Sequence, residues 1–122
     1  MRLASFAVVT VVFVISACSA TATATKNPQI SPAPTPSSPE EVVIYNYKFV
    51  PYTLTVPVGT TVTWVNHDIA PHTATYRSFD DQGFDSGNMQ DTQIFRHKFR
   101  RPGTYGYLCI YHQGMRGTIT VQ

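Results

Sequence analysis

The strongest constraint on this chain lies near its C-terminus, in Tyr105-Gly106-Tyr107-Leu108-Cys109-Ile110-Tyr111-His112-Gln113-Gly114-Met115. A thiol, an imidazole and a thioether stand there at Cys109, His112 and Met115, three positions apart, and the strand-like Gly117-Thr118-Ile119-Thr120-Val121 follows. A helix is disfavoured, because Gly114 and Gly117 would each cost it about 1 kcal/mol. A strand ending at Cys109, a tight loop and a new strand can instead curl the three side chains around one point. Thiolate and thioether are soft ligands and imidazole is intermediate. Cys, His and a weak Met therefore favour copper, whereas zinc sites take more Cys or His, a carboxylate or water. A trigonal copper site needs a second His, which has to come from elsewhere in the chain.

At 122 residues the chain is long enough for one ordinary domain and too short for two. A formal charge of +2 with scattered basic residues gives no nucleic-acid stripe. Arg96, Lys98, Arg100 and Arg101, with Phe95 and Phe99 between them, read as the polar face of a strand. The only cysteines are Cys18 and Cys109. Met1 to Ala17 has one Arg at its head and an apolar run from Phe6 to Ile15, the size of a secretory signal and too short to span a membrane comfortably. It ends Ile15-Ser16-Ala17-Cys18, which resembles a bacterial lipobox, whose Cys is lipidated and becomes the mature N-terminus. The alternative is an ordinary signal cleaved near Ala20 or Ala22. Either way the domain is expected to work outside the cytoplasm, periplasmic or tethered to a membrane. A lone thiol in an oxidising compartment then needs a reason, and metal ligation supplies one.

Residues 19–39 are mostly Ser, Thr, Ala and Pro and read as a solvated tether; residues 40–122 read as the folded domain. Within the domain, Val42-Val43-Ile44-Tyr45 is a strand candidate, and Phe49 to Val56 contains another with Leu54 and Val56 on one face. Thr61 to Asn66 alternates with Val62 and Trp64 inward, and Thr73 to Arg77 is a weaker strand. A polar loop from Ser78 to Asn88 follows, in which Asp80, Asp81 and Asp85 read as solvated. Gln93 to Arg100 alternates again, with Phe95 and Phe99 as core residues. Short strands at this spacing, without helical periodicity, predict an all-β antiparallel sandwich. Tyr105, Tyr107 and Cys109 share one strand face, so tyrosines that pack inward bring the thiol in with them.

The second imidazole can come from His67, His72 or His97. His97 sits beside Lys98 in the basic strand and reads as a surface residue. His67 and His72 flank the loop that leaves the Trp64 strand. His72 is better placed, since Pro71 stiffens the chain before it and a strand begins after it; His67 is the fallback.

These residues resemble the cupredoxins, the small blue copper proteins. The resemblance rests on Phe49-x-Pro51, Leu54-x-Val56, Gly59, Val62-x-Trp64-x-Asn66, Pro71-His72, Phe84-Asp85-Ser86-Gly87, Phe95, Phe99, Pro102-Gly103-Thr104-Tyr105 and Cys109-x-x-His112-x-x-Met115. The short loop between His112 and Met115 is similar to that of amicyanin, more than to the longer loops of plastocyanin or pseudoazurin. The resemblance implies a Greek-key β-sandwich holding one type 1 copper through His72, Cys109 and His112, with Met115 as a weak axial ligand. It implies single-electron transfer between a redox donor and acceptor that dock weakly over His112, amid Pro71, Gln113, Gly114 and Met115, on a monomer. Gln113 and Gly114 replace a step that often contains Pro. Thr73 and Ile110 stand where many members carry Asn and Ser or Thr, and Ile110 has no side-chain donor to tie the ligand loops together.

Enzyme readings have less support. Leu108 and Ile110 occupy the places where a multicopper oxidase needs further histidines, and no second thiol provides a binuclear copper loop. The alternatives are a copper storage or delivery protein and a metal-free sandwich in which Cys109 and Met115 are packing. The N-terminal reading has its own test. Cys18→Ala should move the protein from the membrane to the soluble fraction on cell fractionation; an unchanged distribution excludes the lipid anchor.

Overall fold

The computed structural model describes residues 32–122; the expected signal, Cys18 and the tether as far as residue 31 lie outside the described residues. Residues 32–39 form no strand and are largely exposed. The end of this segment is fastened to the first strand: the Ser37 amide and hydroxyl both donate to the Glu41 carboxylate, and the Glu41 amide donates to the Ser38 carbonyl.

Nine strands follow, and no helix occurs among the described residues. They are β1 (Glu41–Tyr45), β2 (Lys48–Val50), β3 (Thr53–Val56), β4 (Thr61–Asn66), β5 (Thr75–Tyr76), β6 (Phe84–Asp85), β7 (Ile94–Lys98), β8 (Gly103–Leu108) and β9 (Arg116–Val121). One sheet has the order β2-β1-β4-β7 and the other β3-β9-β8-β5-β6. The predicted sandwich is present. Most neighbours run antiparallel, while β1 beside β4 and β3 beside β9 run parallel. The run from Phe49 to Val56 divides at Pro51 and Tyr52, so that β2 joins one sheet and β3 the other. Proline has no amide proton to continue a ladder, and the chain changes sheets there.

The core lies between the sheets and is dominated by aromatic rings. Trp64 on β4 is fully buried, with ring centroids 5.4 Å from Phe84, 5.5 Å from Phe95 and 5.5 Å from Tyr107. Phe84 and Tyr107 come from the opposite sheet, so this cluster joins the two layers. Truncating one such ring to Ala would cost about 3–5 kcal/mol. Alternation works as read in β8: Tyr105, Tyr107 and the following Cys109 are all buried.

Three expectations are corrected by the packing. The polar loop from Ser78 to Asn88 contains β6, a strand of two residues whose Phe84 plugs the core. Two residues are too few to leave a periodic trace. The strand expected over Thr73 to Arg77 shrinks to Thr75–Tyr76, because the backbone before it bonds elsewhere: His72 exchanges amide and carbonyl with Met89, and Ala74 bonds Ser86. His97 is not a surface histidine. Its ring lies 4.8 Å from both Phe84 and Phe99, and burial holds it below the ordinary imidazole pKa, with Arg100 adding to the effect.

The β8–β9 ladder contains one tight contact. Gly117 stands opposite Tyr107, and a Cβ at Gly117 would come within 2.5 Å of the Tyr107 ring and hydroxyl. Gly117→Ala should therefore destabilise the domain by about 1–3 kcal/mol through overpacking, read as a lower urea midpoint of the metal-free chain. An unchanged midpoint would mean that the ring has somewhere else to go.

Candidate metal centre

Two segments far apart in sequence meet at one end of the sandwich, and the sheet register brings them there. Thr75 on β5 pairs with Leu108 on β8. His72 lies shortly before the first of these and Cys109 immediately after the second, so both emerge at the same edge. Asn66 ends β4 and shapes the loop that follows. Its side-chain amide donates to the carbonyls of Ala70 and Met89, and its side-chain oxygen accepts the Asp68 amide, an arrangement of the Asx-turn kind.

The second segment closes on itself. The Cys109 amide donates to the Met115 carbonyl at 3.0 Å, and the Met115 amide donates to the His112 carbonyl at 3.1 Å. Gly114 lies between them at φ 91°, a left-handed conformation in which any other residue would be strained. The loop is therefore a closed hairpin turn that carries Cys109 and His112 on one short rigid stretch.

Among the described residues, His72, Cys109 and His112 each bring a donor atom to one place, all within 4.8 Å of one another. Cys109 Sγ lies 3.7 Å from His72 Nδ1 and 3.4 Å from His112 Nδ1. His72 and Cys109 are buried, while His112 is half-buried toward the surface. Met115 is also buried, at 5% exposure, in the same loop. It lies beneath the surface patch in which the sequence reading included it. Pro71, Gln113 and Gly114 are exposed, as are Tyr47, Ile110 and Tyr111. His67 is exposed and outside the donor group; its amide is committed to the Ile44 carbonyl.

The Thr73 amide donates to Cys109 Sγ at 3.3 Å. Burial lowers the His72 pKa, against the opposing pull of Asp68, so the ring is neutral at neutral pH. A buried free thiol that receives an N–H, beside two imidazole nitrogens, is a donor set that fits copper.

Thr73 also answers the missing tie between the ligand loops. The Ile110 backbone amide, rather than a side chain, donates to Thr73 Oγ1 at 3.0 Å. The Thr75 hydroxyl lies 2.9 Å from that oxygen and 3.1 Å from Asp85 Oδ1, extending the network to β6. Two nearby groups were not singled out from sequence. Asp68 Oδ2 lies 3.0 Å from His72 Nε2, and the Tyr47 ring stands edge-on to both imidazoles. Asp68 had a faint signal, four residues before the histidine. Tyr47 had none, because it sits on a turn whose approach to the site depends on the fold.

A family model described as copper binding proteins, plastocyanin/azurin family, matches residues 40–122. Amicyanin-alpha of Methylorubrum extorquens is 30% identical over 89 residues, covering 71% of this chain and 75% of that protein. The plastocyanin of Scenedesmus fuscus is 39% identical over 87 residues, covering 61% of this chain and 86% of the relative. The structure of a Cu(I) form of an amicyanin mutant superposes with a TM-score of 0.64 at 33% identity, covering 67% of this chain and 80% of that one.

Thr73→Val should leave the Ile110 amide without its acceptor and cost about 1–3 kcal/mol in urea unfolding of the metal-free chain, while Thr73→Ser should keep most of the stability. A loss in Thr73→Ser with none in Thr73→Val would show that the methyl group matters, not the hydroxyl.

Proposed function

The chain belongs to the plastocyanin/azurin family of copper-binding proteins, and from that footing we propose that His72, Cys109 and His112 hold its copper, with Met115 as a weak axial ligand. It is a type 1 copper protein that carries single electrons between redox partners. When bound, copper supplies the one-electron step by alternating between Cu(I) and Cu(II). The observation that carries the residue assignment is the convergence of one thiol and two imidazole nitrogens, from segments 37 residues apart, within 4.8 Å.

The residues around the site divide the work. His72 and Cys109 are buried and exclude water, and their positions are set by backbone bonds to Met89 and Met115. His112 is the ligand closest to solvent. Electrons cross its partly exposed edge, with partners docking around Pro71, His112, Gln113 and Gly114. A groove lined by Ile110, His112, Gln113, Gly114 and Arg116 reaches Cys109 from that side. A small patch of this kind suits brief encounters, since a redox product has to leave quickly. A copper ion held by all four of these donors would have no open position for a substrate, which supports a carrier rather than an enzyme.

The protein works outside the cytoplasm as a monomer, anchored through lipid on Cys18. This placement is supported by the apolar run ahead of Cys18 and by the stretch rich in Ser, Thr, Ala and Pro between that cysteine and the domain.

The purified domain mixed with Cu(II) should turn intensely blue through thiolate-to-copper charge transfer, and Cys109→Ala should stay colourless. The loaded protein should also exchange electrons quickly with a small redox partner and release copper slowly to a chelator. Slow exchange with fast release would identify a storage or delivery protein instead.

A further inference from the structure

Asp68 belongs to neither the core nor the set of metal donors, yet its carboxylate is held by three groups from two segments. Oδ1 accepts the Asn46 amide at 2.6 Å, and Oδ2 accepts the Tyr47 amide at 2.8 Å. The same Oδ2 lies 3.0 Å from His72 Nε2. The Asp68 side chain is 11% exposed and that of His72 is not exposed at all. Charge-assisted bonds in such a setting are shorter and stronger than neutral ones.

The turn it holds is not a relaxed one. Asn46 and Tyr47 both have positive φ, 50° and 59°. A left-handed conformation is uncommon for an aromatic residue and persists only where its surroundings impose it. Here the two consecutive amides converge on one carboxylate. The conformation also places the Tyr47 ring 5.4 Å from the His72 ring and 4.8 Å from the His112 ring, edge-on to each.

The consequence for His72 is directional. A ring whose Nε2–H donates to Asp68 leaves Nδ1 with its lone pair, and Nδ1 is the nitrogen near Cys109 Sγ, at 3.7 Å. The bond made by one ring nitrogen decides what the other can do. A carboxylate behind the imidazole also strengthens it as a donor and favours the more positive state of an ion in front of it.

We propose that Asp68 is a positioning residue of this centre, a single carboxylate that fixes the tautomer of His72 and clamps the left-handed Asn46–Tyr47 turn, seating the Tyr47 ring over both imidazoles. The part that concerns the ion rests on the copper reading; the part that concerns the imidazole and the turn does not.

The test uses Asp68→Asn, which keeps the shape and removes the charge. In the metal-free wild type at neutral pH, nitrogen NMR should show His72 protonated on Nε2 and bare on Nδ1, with the Asn46 and Tyr47 amides protected from hydrogen exchange. In D68N the His72 tautomers should mix, and both amides should exchange at least about tenfold faster. With copper bound, D68N should keep its blue band but show a higher reduction potential and a Cu(II) affinity about 10–100-fold lower, the loss typical of an outer partner of a metal-bound His. Asp68→Glu, which keeps the charge, should fall between D68N and wild type in potential. A wild-type His72 protonated on Nδ1, or a D68N protein with wild-type tautomer and potential, overturns the proposal. The wild-type imidazole measurement needs neither a folded variant nor copper, so it decides the tautomer even if the blue colour never appears.

Discussion

The metal centre depends on a seam between Thr73 and the pair Cys109 and Ile110. The Thr73 amide points at the sulfur, and the Thr73 hydroxyl accepts the Ile110 amide. A thiolate buried at 3% exposure would be costly without a donor aimed at it, because the interior solvates charge poorly. The seam supplies that donor and at the same time fixes the distance between two loops that share no covalent link. It exists because β5 and β8 are neighbours in register; a slip of one residue would turn Thr73 and Cys109 to opposite faces.

Behind the seam stands a frame built from packing and backbone hydrogen bonds. Trp64 and its neighbouring rings fill the space between the sheets, and β4, which carries Trp64, delivers Asn66 to the loop that ends at His72. A zinc finger, by contrast, is unfolded without its metal and obtains its folding energy from ligation. In this chain, packing and backbone bonds hold the ligands while the charge at the site changes by one. A frame of that kind limits the rearrangement that accompanies each electron.

The two imidazoles are treated differently. His72 is enclosed, bridged to Met89 through its backbone and to Asp68 through its ring. His112 rides on the closed loop with part of its ring toward solvent. One is locked in place on every side and the other is open to solvent along one edge. Tyr47 touches both rings while half of its own surface is exposed, at 52%, so the outer boundary of the centre includes a residue from the first hairpin as well as the ligand loop.

The spacing of Cys109, His112 and Met115, and the alternation through Tyr105 and Tyr107, were legible in the sequence because they are local. A strand's period of two and a loop of fixed length constrain side chains within a few residues. Pro71-His72 was legible only as the best of three histidines, and His97 was misplaced because the basic residues beside it outweighed an alternation that puts it on the face of Phe95 and Phe99, and because Phe84, the other ring against it, comes from β6 in the opposite sheet. The tie that Ile110 seemed unable to make is carried by its backbone amide, a group every residue but proline possesses and that no side-chain pattern reveals. By itself the sequence determined the fold class and the chemical nature of the donors, since both follow from residue type and short-range period. Only the tertiary structure decided that Asp68, Tyr47 and Thr73 surround those donors. Their contacts depend on strand register and on a left-handed turn, which place residues tens of positions apart within hydrogen-bond reach.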